Sequence, residues 1–344
     1  CLSFIESTIK FTDKPGIIFS FGTNCSSIVG YDQSNSPQTI FLTHDCTESF
    51  GIVQHELGHA LGLGHEHSRA DRDFYIKILK ENIQSGESMK SIIDKDENNY
   101  NTLGIYYDYS SIMHYHKKAF SNNGKDTIKV KQISPYNDMI GQREKMSFSD
   151  IHLINKHYCK RNCEFSDWKC KNGGYLHWSS CSRCICPRGY YGSHCEFVKY
   201  HSNKCSSPVE LTAFDNVSGI SEVGIKNCNY RIRTENGKKI YVLVFVMNTL
   251  KKAICSPGYG IEIKYVEDKG VTGLCLCGIY TNIEIISQME EVFIEYNGMM
   301  KYDAFLIKYS IAKGTYPNEV TCYNNICYES YGVIYNGTKI NFDT

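Results

Sequence analysis

Between Gly51 and Gly64 the apolar residues Ile52, Leu57, Ala60, Leu61 and Leu63 recur at helical spacing, which predicts an amphipathic helix. Thr47 and Glu48 stand ahead of it as helix-start residues, and Gly62 and Gly64 behind it as stop signals. From Asp71 to Asn82 the chain reads as irregular, passing into a second short helix. Ser149 to His157 reads as another helix, capped by Ser149, with Ile151, Leu153 and Ile154 on its apolar side. Beyond residue 205 the period changes. Runs rich in β-branched and aromatic residues, at 239–247, 260–266, 282–286 and 291–296, are separated by turn signals. They predict an all-β region, most simply a sandwich. Residues 312–344 carry no assignable pattern.

Composition adds the compartment. The 344 residues suit two or three domains, and 42% of them are apolar, ample for buried cores. The longest apolar stretch, Ile240 to Met247, suits a buried strand, and no run of 18 apolar residues is present, so no transmembrane helix is expected. Formal net charge is zero, which argues against a bulk electrostatic pull toward nucleic acid or a membrane surface. Seventeen cysteines change the picture more. Six of them crowd into residues 161–197 with several Gly and Asn, the mark of a small disulfide-stapled module in an oxidising compartment. Sequons at Asn24, Asn216 and Asn336 are compatible with a secreted glycoprotein. The odd count leaves at least one thiol outside intrachain pairing. The chain opens on Cys1 with no leader, so a longer precursor is expected.

The candidate chemistry lies on the first predicted helix. His55-Glu56-Leu57-Gly58-His59 puts two imidazoles one helical turn apart, within reach of one ion. Glu56 sits beside them as a general base for a water molecule. A bare HExxH is a weak signal, but this one runs on to Gly62 and His65. Gly62, free of a Cβ, allows a left-handed turn that folds the chain back and brings His65 in as a third ligand. Three neutral imidazoles leave zinc an open position, which marks a catalytic site rather than a structural one. Surface histidines on an amphipathic helix are the bland alternative. A zinc site without turnover, in a secreted binding protein, is the other.

Residues 55–73, HELGHALGLGHEHSRADRD, resemble the signature of the astacin family of metzincin proteases, with His65-Glu66-His67-Ser68-Arg69 the most specific part. Ser110-Ser111-Ile112-Met113-His114-Tyr115 resembles the family's Met-turn. The resemblance implies one Zn2+ on His55, His59 and His65, Met113 as an apolar floor beneath it, and Tyr115 as a switch tyrosine. That tyrosine would ligate zinc at rest and swing out to stabilise the oxyanion. It places Gln38–Leu42, with Ile40 and Phe41, as the edge strand above the cleft. Through Gly141-Gln142-Arg143 it links Arg143 to a preference for an acidic residue just after the cut. It also implies a further strand and helix ahead of Cys1, and leaves Glu66 without its family partner.

Cysteine pairing is implied by resemblance too. Cys1–Cys159 and Cys25–Cys46 match the protease domain of residues 1–160. Cys163–Cys181, Cys170–Cys184 and Cys186–Cys195 match an EGF-like module at 161–197, for which spacing alone allows 15 connectivities. Cys205–Cys228 and Cys255–Cys277 match a CUB-like domain at 205–311, which leaves Cys275 as the odd thiol; Cys322 is expected to pair with Cys327 in the tail. No acidic cluster precedes Cys163, and Gly260 stands where calcium-binding CUB domains carry Asp, so no calcium is expected at either. The fold expected is thus multidomain: an α+β metzincin protease domain, a small disulfide-rich EGF-like module and an all-β CUB-like sandwich, in the order of nematode astacins. The function implied is a secreted, zinc-dependent endopeptidase acting on extracellular proteins, matrix or cuticle among them.

Overall fold

Strand formation begins where β-branched and aromatic residues cluster. β1 (Ile17–Phe21) pairs in parallel with β2 (Gln38–Leu42). Alternate residues of β2 point inward: Ile40 and Leu42 are buried with Cys46 and Ala60, and Ile17, Ile52, Val53 and Leu57 pack against them. A one-turn helix α1 (His44–Thr47), capped by the Thr43 side chain, leads into α2 (Phe50–Ala60). β3 (Ile76–Ile78), α3 (Glu87–Ile93), β4 (Ile128–Val130) and α4 (Phe148–Cys159) complete the helical half of the chain, β3 pairing with β4. This computed structural model describes all residues except 10, 13, 97–101, 160–162, 201–203, 236 and 336–344, so the Asn336 sequon lies outside the described residues.

Three local expectations need correction. The cap of α2 is Ser49, whose side chain accepts the Ile52 N–H, not Thr47 or Glu48. The cap of α4 is Ser147, whose Oγ accepts the Asp150 N–H; Ser149 lies inside the helix, and Ile151 is 47% exposed. Residues 71–82 form short 3-10 turns either side of β3, with the helix delayed to α3.

Contacts divide the described chain into two units. One holds residues 1–129, 140–168 and 176–183; the other holds 130–139, 169–175 and 184–344. In the six-cysteine segment β5 (Tyr175–His177) pairs with β6 (Ser180–Ile185), and β7 (Tyr190–Tyr191) with β8 (Phe197–Val198).

The second unit is built on two sheets. β9 (Glu210–Thr212), β10 (Ser218–Val223), β11 (Asn227–Arg233), β12 (Ile240–Asn248), β13 (Gly260–Lys264) and β14 (Leu274–Leu276) are followed by β15 (Ile279–Ile286), β16 (Glu291–Asn297) and β17 (Ala304–Ile311). The five-stranded sheet runs β14-β13-β16-β11-β9. The other begins β10-β17-β12-β15 and is extended by the tail through β18 (Val320–Tyr323), β19 (Ile326–Glu329) and β20 (Val333–Ile334). Fully buried Tyr230, Ile263, Phe293 and Tyr296 on one sheet, and Val242, Val244 and Ile307 on the other, form the core of an all-β sandwich. Disulfides join Cys1–Cys159, Cys25–Cys46, Cys163–Cys181, Cys170–Cys184, Cys186–Cys195, Cys205–Cys228, Cys255–Cys277 and Cys322–Cys327. Cys275 is a buried cysteine outside these disulfides.

Candidate metal centre and active site

The most deeply buried residues of α2 are mostly not its large apolar ones. Gly51, His55, Glu56, Gly58, His59 and Ala60 are its buried residues, so the helix turns its polar chemistry inward. It ends at a turn in which the Gly62 N–H bonds to the His59 carbonyl (2.8 Å) and the Leu63 N–H to the Gly58 carbonyl (2.9 Å). Gly62 takes φ +92°, a conformation that a side chain would strain. The reversal returns His65 to the helix, with its Nε2 3.1 Å from that of His59. One nitrogen from each of His55, His59 and His65 lies within 4.8 Å of the others.

These three residues fit a zinc ion. Nδ1–H of His55 donates to the Ile112 carbonyl and Nδ1–H of His59 to the Leu63 carbonyl, both at 2.8 Å. That sets the tautomer of His55 and His59 and turns their Nε2 lone pairs toward His65, an arrangement that a bound cation stabilises. Burial, then the charge of Arg143 and the neighbouring His59, depresses His55 to about 3. Burial also lowers His59 and His65, so all three are neutral, as ligands must be.

Around the triad, Met113 is 1% exposed and packs with Leu63, Ile112 and Leu153. A Cβ on Gly58 would meet its Sδ at 2.9 Å, so the helix lies directly on the thioether. Burial raises the Glu56 carboxyl to about 7, against the opposing pull of Arg143 and the Ser27 N–H. Tyr115 is half-buried; its ring stacks on His67 (centroids 4.0 Å apart, 25° between planes) and lies 4.4 Å from that of His65. Burial raises its phenol, with Arg143 opposing and Glu56 adding. Arg143 is held through Nη1 to the carbonyls of His114 (3.1 Å) and Gln142 (2.8 Å), and its charge reaches Glu56, Tyr115 and the triad.

The edge-strand expectation is corrected. Ile40 is 0% exposed and belongs to the core beneath the sheet, so it has no surface for a substrate. One side of β2 is taken by β1, and on the other Phe41 exchanges both backbone hydrogen bonds with Ser26 at 2.9 Å. The segment facing Glu56 is therefore Ser26–Ser27, whose Ser27 N–H reaches the carboxylate. Phe41 remains 44% exposed. Glu66 is not orphaned either: its Oε1 accepts from Arg69 Nη1 (3.0 Å) and from the Asp108 N–H (2.9 Å).

Two supports of the site escape a search for ligands. Asp150 accepts from Ser111 Oγ (2.6 Å), the Ile112 N–H (3.0 Å) and the Ser147 N–H (2.8 Å), tying α4 to the loop that carries Met113. Its signal was the S-x-x-D spacing from Ser147, a capping box. Arg69 spans Glu66 and Asp71, a role invisible in local sequence.

Three converging imidazoles beside a raised carboxyl belong to the zinc metallopeptidases. Residues 1–159 match the peptidase family Astacin, and this chain belongs to it. The chain is 35% identical over 288 residues to zinc metalloproteinase nas-34 of Caenorhabditis elegans, covering 82% of this chain and 45% of that protein. To nas-23 of the same nematode it is 38% identical over 269 residues, covering 74% and 48%. Among solved structures, high choriolytic enzyme 1, a hatching-enzyme zinc-protease of the medaka Oryzias latipes, is 39% identical, with 44% of this chain and 72% of that one covered and a TM-score of 0.38. The chain spans about half the length of the curated relatives it matches.

Proposed function

We propose that this chain is a secreted endopeptidase that hydrolyses peptide bonds of extracellular proteins at the His55–His59–His65 centre. The observation that carries the reading is the convergence of three neutral imidazoles beside Glu56, two of them, His55 and His59, anchored to backbone carbonyls. A zinc ion held there supplies Lewis acidity, polarising the scissile carbonyl and making water acidic enough to attack near neutral pH. Glu56 takes the proton of the attacking water as its oxygen bonds to the carbonyl carbon. It then returns that proton to the amine nitrogen as the C–N bond breaks. A carboxyl at about 7 suits both transfers. The Tyr115 hydroxyl donates to the developing oxyanion, and the high pKa of its phenol keeps that proton available. Arg143 offers its charge to an acidic side chain just beyond the cut.

The organisation proposed is a catalytic domain at 1–160, an EGF-like module at 161–197 and a CUB-like domain at 205–311, the last two placing substrates or anchoring the enzyme. Eight disulfides among the described residues support secretion. Among those residues no helix is long and apolar enough to cross a membrane.

The test is peptide cleavage by the zinc-loaded full chain, with and without a chelator, beside Glu56→Ala. The variant should still bind one zinc while losing a factor of about 10²–10⁴ in kcat. Cleavage-site sequencing should show acidic residues after the cut, and Arg143→Ala should lose that preference without losing zinc. Stoichiometric zinc with no cleavage by the parent chain would sink the proposal in favour of a silent binding protein.

A further inference from the structure

The second unit carries a charged cleft that plays no part in the proposed hydrolysis. Its volume is about 600 Å³, and four cations (Arg188, Lys199, Lys204 and Lys226) line it against a single carboxylate, Glu295. The chain as a whole is neutral, so this is a local concentration of positive charge. The walls are fixed. Arg188 forks onto Glu295 through Nε (2.6 Å) and Nη2 (2.9 Å), and that carboxylate is itself buried. The Lys199 N–H donates to the Gly189 carbonyl (2.8 Å), and Asn229 Nδ2 donates to the Lys199 carbonyl (3.1 Å). Lys226 Nζ holds the buried Glu222 at 2.7 Å. Those two pairs hold Arg188 and Lys226 in place, while Lys199 and Lys204 stand on the exposed rim, where an incoming anion meets them first.

The remaining lining narrows the ligand. Asn227 adds an exposed amide, suited to hydroxyl groups, and Tyr200 presents an almost fully exposed ring (86%) on which a sugar face can rest. Cations, an amide and one isolated aromatic match an anionic sugar better than a nucleic acid, whose bases call for a row of stacking rings. We infer that this cleft binds a sulfated oligosaccharide of the extracellular matrix, its sulfate half-esters on the lysines, so that the enzyme is held beside its substrates. This goes beyond the peptidase reading and does not depend on it.

The test is calorimetric titration of the full chain with a heparin-derived hexasaccharide at physiological salt. The same titration is run with the desulfated hexasaccharide, inorganic sulfate and a single-stranded oligonucleotide of matched charge. Lys199→Glu/Lys204→Glu should weaken the sulfated sugar by about tenfold or more, since two charge-assisted contacts become repulsive. Lys238→Glu/Lys251→Glu, with the same change in net charge elsewhere on the unit, should change it less than about twofold. Melting curves check that each variant folds, and Lys199→Gln/Lys204→Gln replaces the first pair if it does not. Peptide cleavage should be unchanged in all of them. The inference is overturned if the parent chain does not bind the hexasaccharide or if both charge-reversal pairs lose affinity equally. It is equally overturned if desulfated sugar, free sulfate or the oligonucleotide binds as tightly.

Discussion

Arg69 is 2% exposed, and every arm of its guanidinium is used. Nη1 reaches Glu66 and the Tyr106 carbonyl, Nη2 reaches Asp71 and the Ile105 carbonyl, and Nε returns to Asp71. A lysine has neither the fork nor the reach for this set. Arg69→Lys should therefore cost about 3–5 kcal/mol in urea denaturation, the range for breaking a buried pair, and should weaken zinc through Glu66, the neighbour of His65. His152 supplies a pH signature away from the metal. Burial, then Lys156, depresses it from 6.5 to about 3. Its neutral form suits the folded state, so its stabilising contribution is complete above pH 6.5 and is lost as pH falls toward 3. Melting temperature followed across that window should fall less steeply in His152→Gln. At this scale the grouping of His55, His59 and His65 was legible, because helix geometry and the glycine turn fix which residues come together. Arg69 was not, since two of its acceptors lie 36 and 37 residues further along the chain.

Among the elements, α4 and the Met113 loop act as one piece through Asp150, which holds the Ser111 hydroxyl and the Ile112 and Ser147 N–H groups. Asp150→Ala leaves three donors in a dry interior and should cost about 3 kcal/mol or more. Asp150→Asn, which keeps an acceptor oxygen, should cost less, and chemical denaturation of both variants measures the difference. Gly62→Ala should cost about 1–2 kcal/mol for the left-handed turn and should lower zinc affinity in competition with a chelating dye, because the turn is what returns His65. Periodicity located α2 and α4 and four strands of the sandwich, β12, β13, β15 and β16, because burial of one face fixes a phase. It did not fix the ends. Thr47 and Ser149 are each two residues from the side chains that cap, since a cap is decided by a single hydrogen bond. The short helix expected at the end of 71–82 comes later, at α3, because the Phe74 N–H to Asp71 and Tyr75 N–H to Arg72 bonds close single turns that nothing downstream continues. Ile40 was misjudged because the alternation of β2 shows two faces without saying which one meets solvent.

For the whole molecule, the disulfide framework leaves one thiol, and its environment makes a prediction. Cys275 is 1% exposed on β14, the end strand of its sheet, and its N–H meets Met139 Sδ at 3.4 Å. A thiol reagent should not label the native chain, whereas the unfolded chain with disulfides intact should take up one equivalent, read by mass spectrometry. Slow labelling under native conditions would show instead that β14 opens locally. The crowding of six cysteines into residues 161–197 was legible, but the assignment of residues 130–139 to the second unit was not. The Tyr136 hydroxyl lies 2.5 Å from the Tyr265 hydroxyl, and Asp138 accepts the Cys255 N–H at 2.7 Å, pairings between segments over a hundred residues apart.

That placement fixes an order of events during synthesis. Tyr136 leaves the ribosome 129 residues before Tyr265, and Met139 leaves 136 residues before Cys275. At 5–20 residues per second the wait is roughly 7–27 s. Throughout it Tyr136 and Met139, both buried in the finished protein, wait for Tyr265 and Cys275. Most of the residues that match the peptidase family are therefore made well before the 130–139 segment can settle, and a chaperone would find its target there.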